Sequence, residues 1–81
     1  MSTMYVNGVY AKVGDSVVVI DLTRERSYFK LYKEYKVSKV LDEDTFLKLS
    51  NGFFIPSEQV IRVDHYPKYK EDYREMRVIR N

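Results

Sequence analysis

A run of interleaved basic and aromatic side chains between residues 24 and 39 is the most distinctive feature of this 81-residue sequence. Six basic residues stand in it against two glutamates, which gives a local charge of +4. Cationic side chains bind phosphate or carboxylate groups, and aromatic rings between them stack on bases or pack on apolar groups of a partner. We therefore interpret the run as a binding surface, with the candidate residues Arg24, Arg26, Tyr28, Phe29, Lys30, Tyr32, Lys33 and Tyr35.

A second set of candidate binding residues lies in the C-terminal tail. At about 100° per residue, Tyr69, Tyr73 and Met76 share one face of a helix, which we expect to pack on the rest of the domain. We expect one acidic and one basic flank on this helix, roughly opposite each other, with Glu71, Asp72 and Glu75 on the acidic flank. The basic flank beside the Tyr–Met face adds the candidates Lys70, Arg74 and Arg77.

The residues that could perform catalysis or bind metal do not stand in a suitable pattern. The single histidine, His65, follows Asp64 directly, and adjacent side chains point apart, so we do not expect a dyad. The carboxylates of residues 42–44 lack the spaced oxygens and the glycine bend of a calcium loop. We therefore predict a protein that is not an enzyme, with no catalytic residue, no cofactor and no metal.

The distribution of charge favours a protein over a nucleic acid as the partner. Residues 1–23 and 40–65 carry more acid than base, whereas proteins that bind polyanions usually spread positive charge widely. We expect a protein partner with an acidic surface. Three alternatives stay open: nucleic-acid binding through the same residues, a homo-oligomeric structural subunit, and a solvated loop without a binding role.

Length and composition predict one small domain. A chain of this length has a thin core and, without cysteine, no disulfide to reinforce it. The longest aliphatic run, residues 17–20, is far too short to span a bilayer, and the first residues lack the pattern of a signal peptide. We expect a cytoplasmic protein that does not contact membranes and is a monomer or a weak homodimer.

Short apolar segments separated by turn residues predict a mainly β fold. We expect strands in residues 16–21, 35–41, 45–49, 53–55 and 60–63. Residues 22–34 lack a period of two, and we expect a long ordered loop there, with one amphipathic turn of helix as the alternative. A slip of the apolar phase to Val40 indicates a β-bulge or a strong bend. Asn51-Gly52 predicts a type I′ hairpin turn, in which both central residues have positive φ.

These segments divide the chain into three parts. We expect an N-terminal arm of residues 1–15 that pairs weakly at a sheet edge, a barrel of residues 16–64, and a helix or tail of residues 65–81 that has Pro67 in its first turn. The expected core consists of Val17 or Val19, Val37, Val40, Leu47, Leu49, Ile55, Val60 and Val63.

Residues 51–60, Asn-Gly-Phe-Phe-Ile-Pro-Ser-Glu-Gln-Val, resemble the C-terminal half of an SH3-like barrel, with a glycine turn, a strand ending at proline, a 3₁₀ turn and a valine that opens the last strand. Residues 14–20 are similar to the Gly-Asp-x-Val-x-Val opening of a strand in the same class. The resemblance covers residues 14–64 and implies an SH3-like five-stranded antiparallel barrel with a short C-terminal helix.

Two departures from the SH3 pattern affect function. Peptide-binding SH3 domains have a tryptophan before the glycine turn and a tyrosine after the Pro-Ser pair, but this chain has no tryptophan and has Gln59 in the tyrosine position. Recognition of proline-rich peptides is therefore not expected. In general character the chain is similar to bacterial or bacteriophage accessory proteins, which implies that it alters a host or regulatory protein by occlusion.

Overall fold

Five short strands form the framework of the fold. The computed structural model describes residues 2–22 and 28–71. The strands are β1 (Ser16–Val19), β2 (Glu34–Leu41), β3 (Phe46–Leu49), β4 (Phe54–Pro56) and β5 (Val60–Arg62). A 3₁₀ turn, Ser57–Gln59, joins β4 to β5, and residues 66–71 are helical.

The strands form one antiparallel sheet in the order β4-β3-β2-β1-β5. Strands β2 to β4 form a meander, whereas β5 returns to pair with β1, which places the 3₁₀ turn between the two edge strands. This arrangement confirms the predicted mainly β class, with five antiparallel strands and a short helix.

The core follows the alternation of apolar residues along each strand. Its buried members include most of those expected from the sequence: Val17, Val19, Val37, Leu47, Leu49, Ile55 and Val60. Val40 is only partly buried but packs against this cluster. Val18 and its cross-strand partner Ile61 are also buried, outside the cluster, so β1 and β5 bury side chains on both faces.

The expectation for Val63 was wrong, because its side chain is 38% exposed. Strand β5 ends at Arg62, so Val63 begins a turn and no longer follows the strand's alternation. Its backbone N–H still donates to the carbonyl of Ser16, 2.9 Å away. An apolar residue next to a strand is therefore not sufficient to identify a core position here.

The N-terminal residues form a small hairpin whose Tyr5 side chain belongs to the core. The N–H of Tyr5 donates to the carbonyl of Val9 at 2.8 Å, and that of Ala11 donates to the carbonyl of Thr3 at 2.8 Å. The buried Thr3 hydroxyl donates to Asp42 Oδ1 at 2.8 Å. The hairpin thus supplies core volume that a thin sheet lacks, which is more than the weakly paired arm that we expected.

The turn between β3 and β4 contains the expected left-handed glycine, with φ of +89° at Gly52. The N–H of Gly52 donates to the carbonyl of Leu49 at 2.8 Å, so Ser50 and Asn51 are the central residues of the turn. Asn51 does not have positive φ. The predicted type I′ turn was therefore wrong; the geometry is that of a three-residue loop in which a left-handed glycine follows the turn.

Candidate partner-binding surface

Residues 28–33 of the basic–aromatic run are held against one end of the sheet by one backbone hydrogen bond and one hydrogen bond from a side chain. The N–H of Tyr32 donates to the carbonyl of Val19 at 2.8 Å. At the other end of the segment, Asn51 Nδ2 donates to the carbonyl of Tyr28 at 2.8 Å. The segment is thereby tied both to β1 and to the β3–β4 turn.

Two of the candidate residues, Phe29 and Tyr35, point into the molecule. They are only 3% and 7% exposed, and their rings meet edge to face with centroids 5.6 Å apart. The Tyr35 hydroxyl oxygen accepts a hydrogen bond from the N–H of Lys30 at 2.9 Å. This is a correction to the predicted surface: both rings belong to the core, because β2 alternates and turns Tyr35 and Val37 to the same inner side.

The remaining aromatic candidates of the run are exposed. Tyr28 stacks on Phe53 with ring centroids 4.4 Å apart and an angle of 23° between the ring planes. Tyr32 lies beside Tyr66, with centroids 5.8 Å apart. The lysines of the segment, Lys30 and Lys33, are exposed as well, as is Leu31.

Tyr32 has a backbone conformation that is unusual for a residue with a side chain. Its φ is +65°, in the left-handed region, which costs roughly 1–2 kcal/mol for a residue other than glycine. The hydrogen bond to Val19 holds the backbone in this conformation. The fold thus maintains a strained residue whose ring is presented to solvent, an arrangement that is often found at binding sites.

Sequence reasoning missed three side chains of the β3–β4 hairpin: the exposed Phe53 and Phe54 and the half-buried Lys48. The two phenylalanines are about half exposed, and Lys48 Nζ lies 5.8 Å from the centre of the Phe54 ring. A signal for Phe54 was available, because the strand alternation that buries Ile55 directs its neighbour to the outer face. Phe53 adjoins the turn, and nothing local indicated that Tyr28 would stack on it.

Of the other predicted site residues, only Lys70 lies within the described part of the chain. Lys70 is exposed on the helical segment of residues 66–71. Four of the candidates lie outside the described residues: Arg24, Arg26, Arg74 and Arg77. The same holds for Tyr73 and Met76, so the predicted helix face is described only at Tyr69, which is half-buried.

The surroundings of His65 contain one well-formed ion pair. Two hydrogen bonds of 3.0 and 2.9 Å join the Arg62 guanidinium to the Asp64 carboxylate, which lies 3.9 Å from His65 Nε2. Desolvation alone would raise the pKa of Asp64, but the hydrogen bond and the charge of Arg62 outweigh it, so the pKa is lowered. Asp64 thus pairs with Arg62. His65 Nδ1 lies 3.4 Å from the side-chain amide nitrogen of Asn7.

Residues 2–22 and 28–71 contain no group of three or more histidine, cysteine or acidic side chains that could hold a metal ion. Over the same residues, no helix is both long enough and apolar enough to cross a membrane. No family model, no curated protein and no solved structure matches the chain.

Proposed function

We propose that this protein is a non-enzymatic binding module that contacts another protein through the end surface, which we define as Tyr28, Lys30, Leu31, Tyr32, Lys33 and Phe53. The observation that carries the proposal is the stacked Tyr28–Phe53 pair, which leaves two large rings about half exposed. Clustered exposed aromatic side chains are enriched at protein interfaces, where they act as anchors. The lysines beside them suit an acidic partner surface.

The geometry of the rings favours a protein over single-stranded nucleic acid. Bases stack on free aromatic faces, but Tyr28 and Phe53 each use one face on the other. Lys48 similarly lies over the ring of Phe54. The apolar area that is left suits aliphatic and aromatic side chains of a partner better than it suits a row of bases.

We further propose that the domain is an SH3-like barrel and that it acts as a bacterial or bacteriophage accessory protein in the cytoplasm. Support for the fold comes from the strand order, from the long connection between β1 and β2, and from the 3₁₀ turn that precedes β5. In this proposal the domain alters its partner's activity by covering part of the partner's surface, since it needs no catalytic group to do so.

Photo-cross-linking tests the end surface directly. Tyr32 and Tyr10 are both 58% exposed, but only Tyr32 belongs to the end surface. We expect a benzoyl-phenylalanine at position 32 to capture one protein in cells that make this protein, and the same group at position 10 to capture none. Equal capture at both positions, or none at either, would contradict the proposal.

The two competing functions give different results in solution. Binding of DNA or RNA oligonucleotides that is tighter than about 1 μM at low salt, and weakens steeply as salt is added, would establish nucleic acid as the ligand instead. Self-association in sedimentation equilibrium that is lost in Tyr28→Ala would establish a homo-oligomeric subunit. We expect neither result.

A further inference from the structure

The β-bulge in β2 determines which lysines share the outer face of the sheet. Tyr35 and Val37 face the core, so regular alternation would also turn Lys39 inward. The pairing with β3 shifts between Val37 and Lys39, and as a result Lys39 is exposed and Val40 packs against the core. The Ser38 hydroxyl donates to the Lys48 carbonyl at 3.0 Å within this irregularity.

This shift places two lysines opposite each other. Lys39 is the cross-strand partner of Lys48, and Lys48 is in turn the partner of Phe54. Like charges directly opposite on a sheet are destabilising. The ion pairs found among the described residues involve Arg62, Asp64 and His65, so neither lysine is neutralised by a described acidic side chain.

The neighbours of this Lys–Lys–Phe row (Lys39, Lys48 and Phe54) are apolar on one side. The next cross-strand row consists of the half-buried Leu41, Phe46 and Pro56. A nucleic-acid backbone requires a track of positive charge. Here a pair of cations is flanked by apolar side chains, which complements a segment that carries both carboxylate and apolar groups.

We propose that the Lys–Lys–Phe row binds an acidic, apolar-containing segment of the protein partner. A carboxylate lies between the two ammonium groups and relieves their repulsion, while an apolar side chain of the same segment covers the exposed ring of Phe54. The inference rests on the proposed protein-binding function and extends the contact from Phe53 on the end surface to its neighbour Phe54 on the outer face of the sheet.

A nuclear magnetic resonance titration of the isotope-labelled protein tests this assignment. The probe is the blocked peptide Glu-Phe-Glu-Glu-Phe, and its control is the same peptide with glutamine in place of glutamate. We expect saturable shifts of the amide signals of Lys39, Lys48 and Phe54 with the acidic peptide only. The double variant Lys39→Gln/Lys48→Gln should weaken binding by about tenfold or more, whereas Lys12→Gln/Lys68→Gln, which changes two exposed lysines elsewhere, should not.

Several results would overturn the inference. These are the absence of shifts in the row up to about 1 mM acidic peptide, equal binding of the glutamine peptide, or tighter binding of a thymidine oligonucleotide at the same residues. Two variants can also be tested for binding to the partner identified by cross-linking. If Lys39→Gln/Lys48→Gln binds normally and Tyr32→Ala does not, the role of the row is refuted and the proposed function is supported. Normal binding by Tyr32→Ala would instead refute the proposed function.

Discussion

At the residue scale, Ile55 is the position at which the sequence predicts burial most directly. It is fully buried, lies opposite Leu47 and precedes Pro56. Ile55→Ala removes buried methyl and methylene groups and leaves a cavity, so we expect the free energy of unfolding to fall by about 2–5 kcal/mol. Chemical denaturation measures this loss. Val63→Ala, at an exposed apolar position, is the control and should change it by less than about 1 kcal/mol; equal losses would contradict the core assignment.

Tyr5 links the N-terminal hairpin to the start of β1 through its hydroxyl, which donates to Asp15 Oδ2 at 2.7 Å. Burial, and then the hydrogen bond to Asp15, raise the pKa of Tyr5 well above its ordinary value of 10.0. The neutral phenol therefore contributes its full share to the free energy of unfolding below pH 10, and this contribution is lost as the pH rises above 10. We expect Tyr5→Phe to cost about 1.5–3 kcal/mol near neutral pH.

The pH dependence separates this bond from simple packing. The difference in unfolding free energy between wild type and Tyr5→Phe should shrink as the pH is raised above about 10, because only the wild type loses the contribution of a phenol. Denaturation curves at neutral and alkaline pH measure the difference. A constant difference across this range would contradict the role of the hydroxyl.

At the scale of elements, the β3–β4 turn depends on the backbone of Gly52. A Cβ at this position would have no atom within 4 Å, so a substitution acts through the positive φ and not through a clash. We therefore expect Gly52→Ala to destabilise the domain by roughly 1–2 kcal/mol. Thermal unfolding measures the change, and an unchanged melting temperature would show that the turn readily adopts another conformation.

Because of the bulge in β2, we expect Lys39 to lower the stability of the fold while it contributes to partner binding. Lys39→Glu replaces a like-charge cross-strand pair by an opposite-charge pair with Lys48, and we expect it to stabilise the fold by about 0.2–1 kcal/mol. The gain should decrease as salt is added, since both groups are on the outer face. Thermal melts at low and high salt measure this. A loss of stability would contradict the cross-strand arrangement of the two lysines.

Elements that depend on local alternation and turn residues could be predicted from the sequence, and those that depend on distant contacts could not. The phase slip at Val40 predicted a bulge or a strong bend, and the register shift between Val37 and Lys39 is the bulge. The turn type was wrong because Asn-Gly is compatible with more than one hairpin geometry. The burial of Tyr5 and the Tyr28–Phe53 stack both join residues far apart in sequence, for which local pattern carries no signal.

At the scale of the whole molecule, the net charge of +2 does not show how the charged side chains are distributed. Lysines accompany exposed aromatic rings on the end surface and on the outer face of the sheet, whereas the acidic turn of residues 42–44 adjoins β3 at the strand end opposite the β3–β4 turn. Sequence reasoning located the basic–aromatic run but assigned Phe29 and Tyr35 to its surface, because a pattern of residue types does not show which rings the core requires.

The central claim is that the end surface binds a protein partner. Calorimetric titration with the purified partner, once cross-linking has identified it, tests this claim most directly. We expect charge reversal of Arg24, Arg26, Lys30 and Lys33 to abolish binding with little change in melting temperature. The exposed charges of Lys30 and Lys33 contribute only about 0–1 kcal/mol each to folding. Replacing Tyr28 and Tyr32 by alanine should weaken binding by about 2 kcal/mol or more. Tyr10→Ala and the charge reversal of Lys70, Arg74 and Arg77 are the controls and should bind normally. Normal binding by the loop variants, with loss of binding in the helix variant, would contradict the account and place the site on the C-terminal helix.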